Sequence, residues 1–160
     1  MIFHLMMKTF PDIPFEKNKP TLTISDVGST AIPVQKKQFE SIIKAVETLE
    51  NVRFQEIELV FVDENEIVRI NQEHLNRDYV TDIITFRYDE EQHQAIEGTL
   101  FCCSHRIKEQ SLELGIDESL EYLRIFAHGL LHLAGYNDQT ADQKANMTQK
   151  EDEILELIFR

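Results

Sequence analysis

Two glycines, Gly115 and Gly135, divide the last third of the chain into three helices, and this punctuation limits the fold more than any other feature. Glycine adopts the left-handed conformation that ends a helix at little cost. Ser104 opens a helix that stops at Gly115, and Asp117 opens a second that stops at Gly135. Thr140 opens the third, with Gln143 three residues on completing a capping box. Met147, Ile154, Leu155 and Ile158 give that last helix an apolar face out to the C-terminus.

The middle of the chain reads differently. Gln35–Leu49 has helical spacing, with Phe39, Ile42, Ile43, Val46 and Leu49 on one side. Glu56–Val62 reads as a buried strand. Asp63 then caps a helix that runs to about Leu75, with Glu66 placed as in a capping box. Asn76–Thr81 is a polar loop, Asp82–Tyr88 a strand rich in β-branched and aromatic residues, and Asp89–Glu97 a charged connection holding His93. Gly98–Cys103 is a further strand. Residues 1–34 contain all four prolines and read as irregular, with a possible strand at Thr21–Ser25. Strands and helices mix without regular alternation. The expected class is therefore α+β, a small mixed sheet of about four strands with about five helices packed on it.

A chain of 160 residues suits one domain, 1–160. Apolar residues at 42% and a mean hydropathy of −0.32 fit a soluble chain. No stretch nears the roughly 20 apolar residues of a membrane span. The apolar start Met1–Met7 has only Lys8 behind it and no small-residue cleavage site, so no signal peptide and a cytoplasmic location are expected. Cys102 and Cys103 are adjacent. Neighbours in a strand point to opposite faces, which favours a reduced pair over a disulfide. A net charge of −13 disfavours a broad phosphate-gripping surface. Any nucleic-acid contact must be local, or assisted by a metal or a protein partner.

The chemistry concentrates in Ala127-His128-Gly129-Leu130-Leu131-His132-Leu133-Ala134-Gly135-Tyr136-Asn137-Asp138. His128 and His132 are four apart, so they stack on one helix face and can share an ion. They fall at the edge of the stripe formed by Leu120, Leu123, Ala127, Leu130, Leu131 and Ala134, where a ligand pair lining a cleft belongs. Gly135 lets the chain turn back, and Asp138 can then reach the same ion. Asp142 is the rival third ligand, though its place inside a helix weighs against it. Two histidines and a carboxylate leave a fourth zinc position open, as catalytic sites require. Zinc peptidases use H-E-x-x-H, with Glu as general base. Here that position is Gly129, so peptidase chemistry is disfavoured. Glycine inside a helix costs about 1 kcal/mol relative to Ala, and close approach of a strand or a substrate would explain it.

This segment resembles the H-G-x-L-H-L-x-G-Y-D-H signature of the YbeY family of endoribonucleases, which mature ribosomal RNA. The resemblance implies one zinc ion, with Mn²⁺ or another divalent ion as an alternative, on His128, His132 and Asp138. Asp138 stands where most members carry a third histidine. The likeness extends over residues 56–158. Asn71 through Phe86 resembles the segment ending in T-D-V-L-S-F, Gly98 begins the strand that is G-D-I in the family, and Glu121 matches an acidic residue of the metal helix. Met147 and Glu151 fit its M-x-x-x-E pattern. The chain departs from the family at an arginine thought to act on the phosphate, whose position holds Leu75, with His74 in place of the preceding tyrosine. Arg77, two residues on, is the candidate substitute, through its bidentate fork. Single-stranded or ribosomal RNA as substrate, ribosome-associated proteins as partners, and no role for DNA or membrane are what the resemblance implies. The competing readings are a metal-dependent peptidase or amidohydrolase, and a non-enzymatic ribosome assembly factor with a structural metal. For the latter His74, His93 and His105 are the candidate fourth ligands.

Overall fold

The computed structural model describes residues 19–28, 30–89 and 95–160. Along the chain run β1 (Thr21–Asp26), α1 (Lys36–Glu50), β2 (Arg53–Val62), α2 (Glu64–Leu75), β3 (Ile83–Arg87), β4 (Ala95–Cys103), α3 (Ser104–Leu114), α4 (Glu118–Leu133) and α5 (Ala141–Ile158). The strands form one mixed sheet in the order β1-β2-β4-β3. β1 and β4 run parallel to β2, and β3 lies antiparallel on the outer edge of β4. This is the α+β class expected from the sequence.

The two faces of the sheet are covered unequally. Ile57, Leu59, Phe61 and Leu100 point to the larger core, where they meet Phe39 and Ile42 of α1, Phe126 and Leu130 of α4, and Met147 and Ile154 of α5. Phe39 and Phe126 pack edge-on with ring centroids 5.0 Å apart. On the opposite face Val60, Val62 and Ile84 pack under Ile67 and Ile70 of α2. Cys102 belongs to the first cluster and Cys103 to the second. Both are free and buried, and burial pushes both thiols above their ordinary pKa. No helix among the described residues is long and apolar enough to cross a membrane.

Gly129 explains how α4 seats on the sheet. A Cβ built there would lie 2.3 Å from Leu100 Cδ2 and 2.5 Å from Ile83 Cδ1. The missing side chain lets the helix approach β3 and β4, so a strand occupies the space that the sequence left open to either strand or substrate.

Several expectations need adjustment. β2 begins at Arg53 and β4 at Ala95, each about three residues earlier than the hydrophobic runs suggested, whereas the possible strand at Thr21–Ser25 is present as β1. Asp63 accepts a hydrogen bond from the Glu66 amide at 2.8 Å, but the Glu66 carboxylate turns to Arg69, so only half of that capping box forms. The Thr140–Gln143 box forms in full. Leu49 is 39% exposed and does not join the core face of α1. Residues 1–18 and His93 lie outside the described residues.

Candidate metal centre

His128 and His132 project from the last two turns of α4, one above the other. Their Nε2 atoms are 2.9 Å apart, and each is 3.4 Å from Asp138 Oδ2. Asp138 reaches them because the chain reverses after α4. Ala134 is the last αR residue, Gly135 has φ 108°, and the Tyr136 amide donates back to the Leu131 carbonyl at 3.0 Å. The three side chains are only partly exposed, at 20%, 24% and 32%.

The far side of each imidazole is engaged. His128 Nδ1 lies 2.5 Å from Glu151 Oε1, and His132 Nδ1 lies 2.9 Å from the Tyr136 carbonyl oxygen. Both partners are acceptors, so both Nδ1 atoms carry the proton and donate. Each Nε2 then presents a bare lone pair. Two such lone pairs and a carboxylate oxygen face one another within hydrogen-bond range. Only a cation, or an added proton that turns one ring into an imidazolium, relieves that. Two ligands on one tetrahedral zinc lie roughly 3.3 Å apart, and the separations of 2.9, 3.4 and 3.4 Å match that size. The donor set therefore fits a divalent ion.

A buried ionic chain supports Glu151. Its Oε2 accepts from Arg124 Nη1 at 3.3 Å, and Arg124 also donates to both oxygens of Glu121, at 2.9 and 2.6 Å. Glu121 is fully buried and Glu151 nearly so. Burial pulls the His128 pKa down, but the hydrogen bond and charge of Glu151, with Asp82 and Asp138, outweigh it, and the net shift is upward. The loop after α4 is tied down separately. The Tyr136 hydroxyl donates to Glu50 Oε2 at 2.7 Å, and burial together with that carboxylate pushes its pKa up to about 12.

A cleft of about 280 Å³ opens beside His128, lined by Asp82, Arg106, Gln110 and Arg124 among others. Asp82 Oδ2 accepts from Gln110 Nε2 at 3.2 Å. Both arginines in this cleft are committed to carboxylates, Arg106 to Glu109 and Glu113 at 3.0 Å each. Arg77 stands apart. It is exposed in the loop between α2 and β3, a loop held by the Asn71 side chain, whose amide donates to the Tyr79 carbonyl at 2.9 Å.

Two clusters among the described residues could hold an ion: His128, His132 and Asp138, all partly buried, and the more exposed Glu64, His105 and Glu109. Asp142, the rival third ligand, lies exposed on the first turn of α5 and belongs to neither. His74 stacks edge-on against Phe86 at 5.1 Å, and His105 pairs with Glu64 at 2.5 Å, so neither supplies a fourth ligand. Sequence reasoning missed the contact of Glu151 with His128. Its signal was available: Glu151 shares an otherwise apolar face with Met147 and Ile154, and a buried carboxylate there needs a partner.

Known proteins share this arrangement of sequence. Residues 24–158 match the family model described as Endoribonuclease YbeY. A protein named Endoribonuclease YbeY from Chloroherpeton thalassium is 39% identical over 123 residues, covering 75% of this chain and 86% of that protein. One of the same name from Ureaplasma urealyticum is 33% identical over 137 residues, covering 84% and 87%. The solution structure of TM1509 from Thermotoga maritima superposes with a TM-score of 0.52 at 24% identity, over 84% of this chain and 89% of that one, and it shares the fold. With the family pattern matched over nearly all the described residues, the chain belongs to the YbeY endoribonuclease family.

Proposed function

We propose that this chain is a metal-dependent endoribonuclease that cuts single-stranded RNA in the maturation of ribosomal RNA. Residues 1–160 act as one domain in the cytoplasm, in contact with ribosome-associated proteins. His128, His132 and Asp138 hold the ion, with zinc the first candidate and Mn²⁺ the second. The observation that carries this reading is the convergence of two bare imidazole nitrogens and a carboxylate oxygen on one point, with each Nδ1 locked from behind.

A divalent ion bound there supplies Lewis-acid polarisation of the phosphodiester and a strong nucleophile at neutral pH. The chain's own residues do the rest. Glu151 and the Tyr136 carbonyl fix tautomer and ring orientation, as outer-shell partners of ligating histidines do. Arg77 provides the phosphate contact from its exposed loop, because Arg106 and Arg124, the cations beside His128, are held by carboxylates. Three protein ligands leave a fourth position for substrate, which favours catalysis over a purely structural ion. The peptidase alternative lacks its base, since Gly129 faces Leu100 and Ile83 in the core.

The test is cleavage of matched single-stranded and duplex RNA by the purified chain, with and without chelator, and with zinc or Mn²⁺ restored. The expected result is cutting of the single strand alone, abolished by chelator, restored by metal, and weakened in Arg77→Ala. A 2′,3′-cyclic phosphate on the product would identify the ribose hydroxyl, not water, as the attacking group. Undiminished cutting by chelated protein would refute the metal-dependent reading.

A further inference from the structure

The chain carries 16 basic residues against 29 acidic ones, yet five of the basic residues line a single cleft of about 1090 Å³. They are Lys19, Lys37, Lys44, Arg53 and Arg87. The acidic side chains in its wall are Glu40 and Glu47. Glu40 lies 3.9 Å from Lys19, and Glu47 accepts from the Phe54 amide at 3.3 Å. Arg87 is held by Asp89 at 2.8 Å and donates to the Leu133 carbonyl at 3.0 Å. Lys37, Lys44 and Arg53 are exposed and have no carboxylate within ion-pair distance among the described residues. Lys37, Ser41, Lys44 and Thr48 fall at helical spacing on one face of α1, which makes that wall a polar, basic ladder.

The cleft reaches the C-terminal end of the helix that carries both histidines. Ala134, the C-cap of α4 and two residues past His132, forms part of its wall. Arg87 clasps the carbonyl at the end of the same helix. The C-terminal end of α1 is bonded through Glu50 to Tyr136, whose carbonyl orients His132. Basic wall and histidine pair are thus parts of one framework. Concentrated positive charge in a concave surface of an acidic protein draws a polyanion to that place and away from the rest.

We propose that this cleft is the track for the phosphodiester backbone of single-stranded RNA on its way to the histidine centre, with Lys37, Lys44 and Arg53 each neutralising a phosphate. The inference rests on the RNA-cleavage reading above and extends it to the path of the substrate. It also removes the conflict between that reading and the net charge, because the phosphate-binding surface is local.

The experiment measures binding of a fluorescent single-stranded RNA to the full chain by anisotropy across a salt series, in chelator so that nothing is cut. Each phosphate contact on a single strand contributes roughly 0.7 to the slope of log K against log salt. The Lys37→Gln/Lys44→Gln/Arg53→Gln variant is expected to lose about 2 from that slope and to raise KM for cleavage, with zinc content and melting temperature at wild-type values. Wild-type slope and affinity in the variant, while the wild type both binds and cuts RNA, would overturn the track and leave the nuclease reading standing. A wild type that neither binds nor cuts RNA would overturn both. Displacement by an acidic peptide of a ligand that RNA does not displace would assign the cleft to a protein partner and overturn the proposal.

Discussion

Glu151→Gln isolates the contribution of the carboxylate behind His128. In the native chain Glu151 Oε1 accepts a hydrogen bond from His128 Nδ1 at 2.5 Å and Oε2 accepts from Arg124 at 3.3 Å, with the side chain 3% exposed. A glutamine of the same shape has two orientations, and both lose something. With its oxygen toward His128, its amide NH₂ confronts the Arg124 donors. With its NH₂ toward His128, Nδ1 must become the acceptor, and the proton moves to Nε2, where it blocks the ion. Arg124 keeps both bonds to Glu121, at 2.9 and 2.6 Å, so no charge is left stranded and the fold survives. Loss of an outer-shell partner typically weakens metal binding by about 10- to 100-fold, roughly 1.4–2.7 kcal/mol. Competition with a chromophoric chelator would read this as a rise in zinc Kd of that size, with circular dichroism unchanged. A Kd within about twofold of wild type would refute the claim that Glu151 sets the tautomer of His128.

Gly129→Ala should destabilise the chain by about 1–2 kcal/mol, because the new methyl must displace Leu100 and Ile83 at the core while the helix gains only about 1 kcal/mol of propensity; chemical denaturation measures it, and a stabilised variant would show that α4 does not press on the sheet. Asp138→His should raise the zinc preference over Mn²⁺ and restore the ligand set usual in the family, read by metal competition, and an unchanged selectivity would remove Asp138 from the centre. In the metal-free chain the raised pKa of His128 adds stability that is full below its unfolded value near about 6.5 and is lost as pH rises through the folded value. The melting temperature of chelated protein should therefore fall across that window. Zinc binding should show the opposite dependence and weaken as pH drops through the same value, since proton and ion compete for His128.

What the sequence reveals depends on whether the information is local. Helix ends were legible because capping is decided within four residues: Gly115 and Gly135 hold positive φ where they were expected to, and Asp117 and Thr140 cap. Strand starts were not, since Arg53–Glu56 and Ala95–Glu97 carry polar residues on the thinly covered face of the sheet, and only pairing of β2 with β4 makes them strands. The same division runs through the site. His128 and His132 share a helix face and Asp138 follows one glycine turn, so their meeting was readable from spacing alone. Glu151 arrives from α5, 23 residues away, and the group that orients His132 is a backbone carbonyl, which no side-chain pattern reveals. The basic cleft was hidden for a related reason. Lys19, Lys37, Lys44, Arg53 and Arg87 are scattered along the chain and become neighbours only when α1, β2 and the end of β3 come together.

The most direct test of the account compares wild type with His132→Ala for bound metal by elemental analysis and for cleavage of single-stranded RNA. The account predicts about one ion per chain in the wild type, with ion and cleavage lost together in the variant while the fold holds. A wild type that takes up no metal even after zinc is supplied, or a His132→Ala chain that cuts RNA at the wild-type rate, would contradict it.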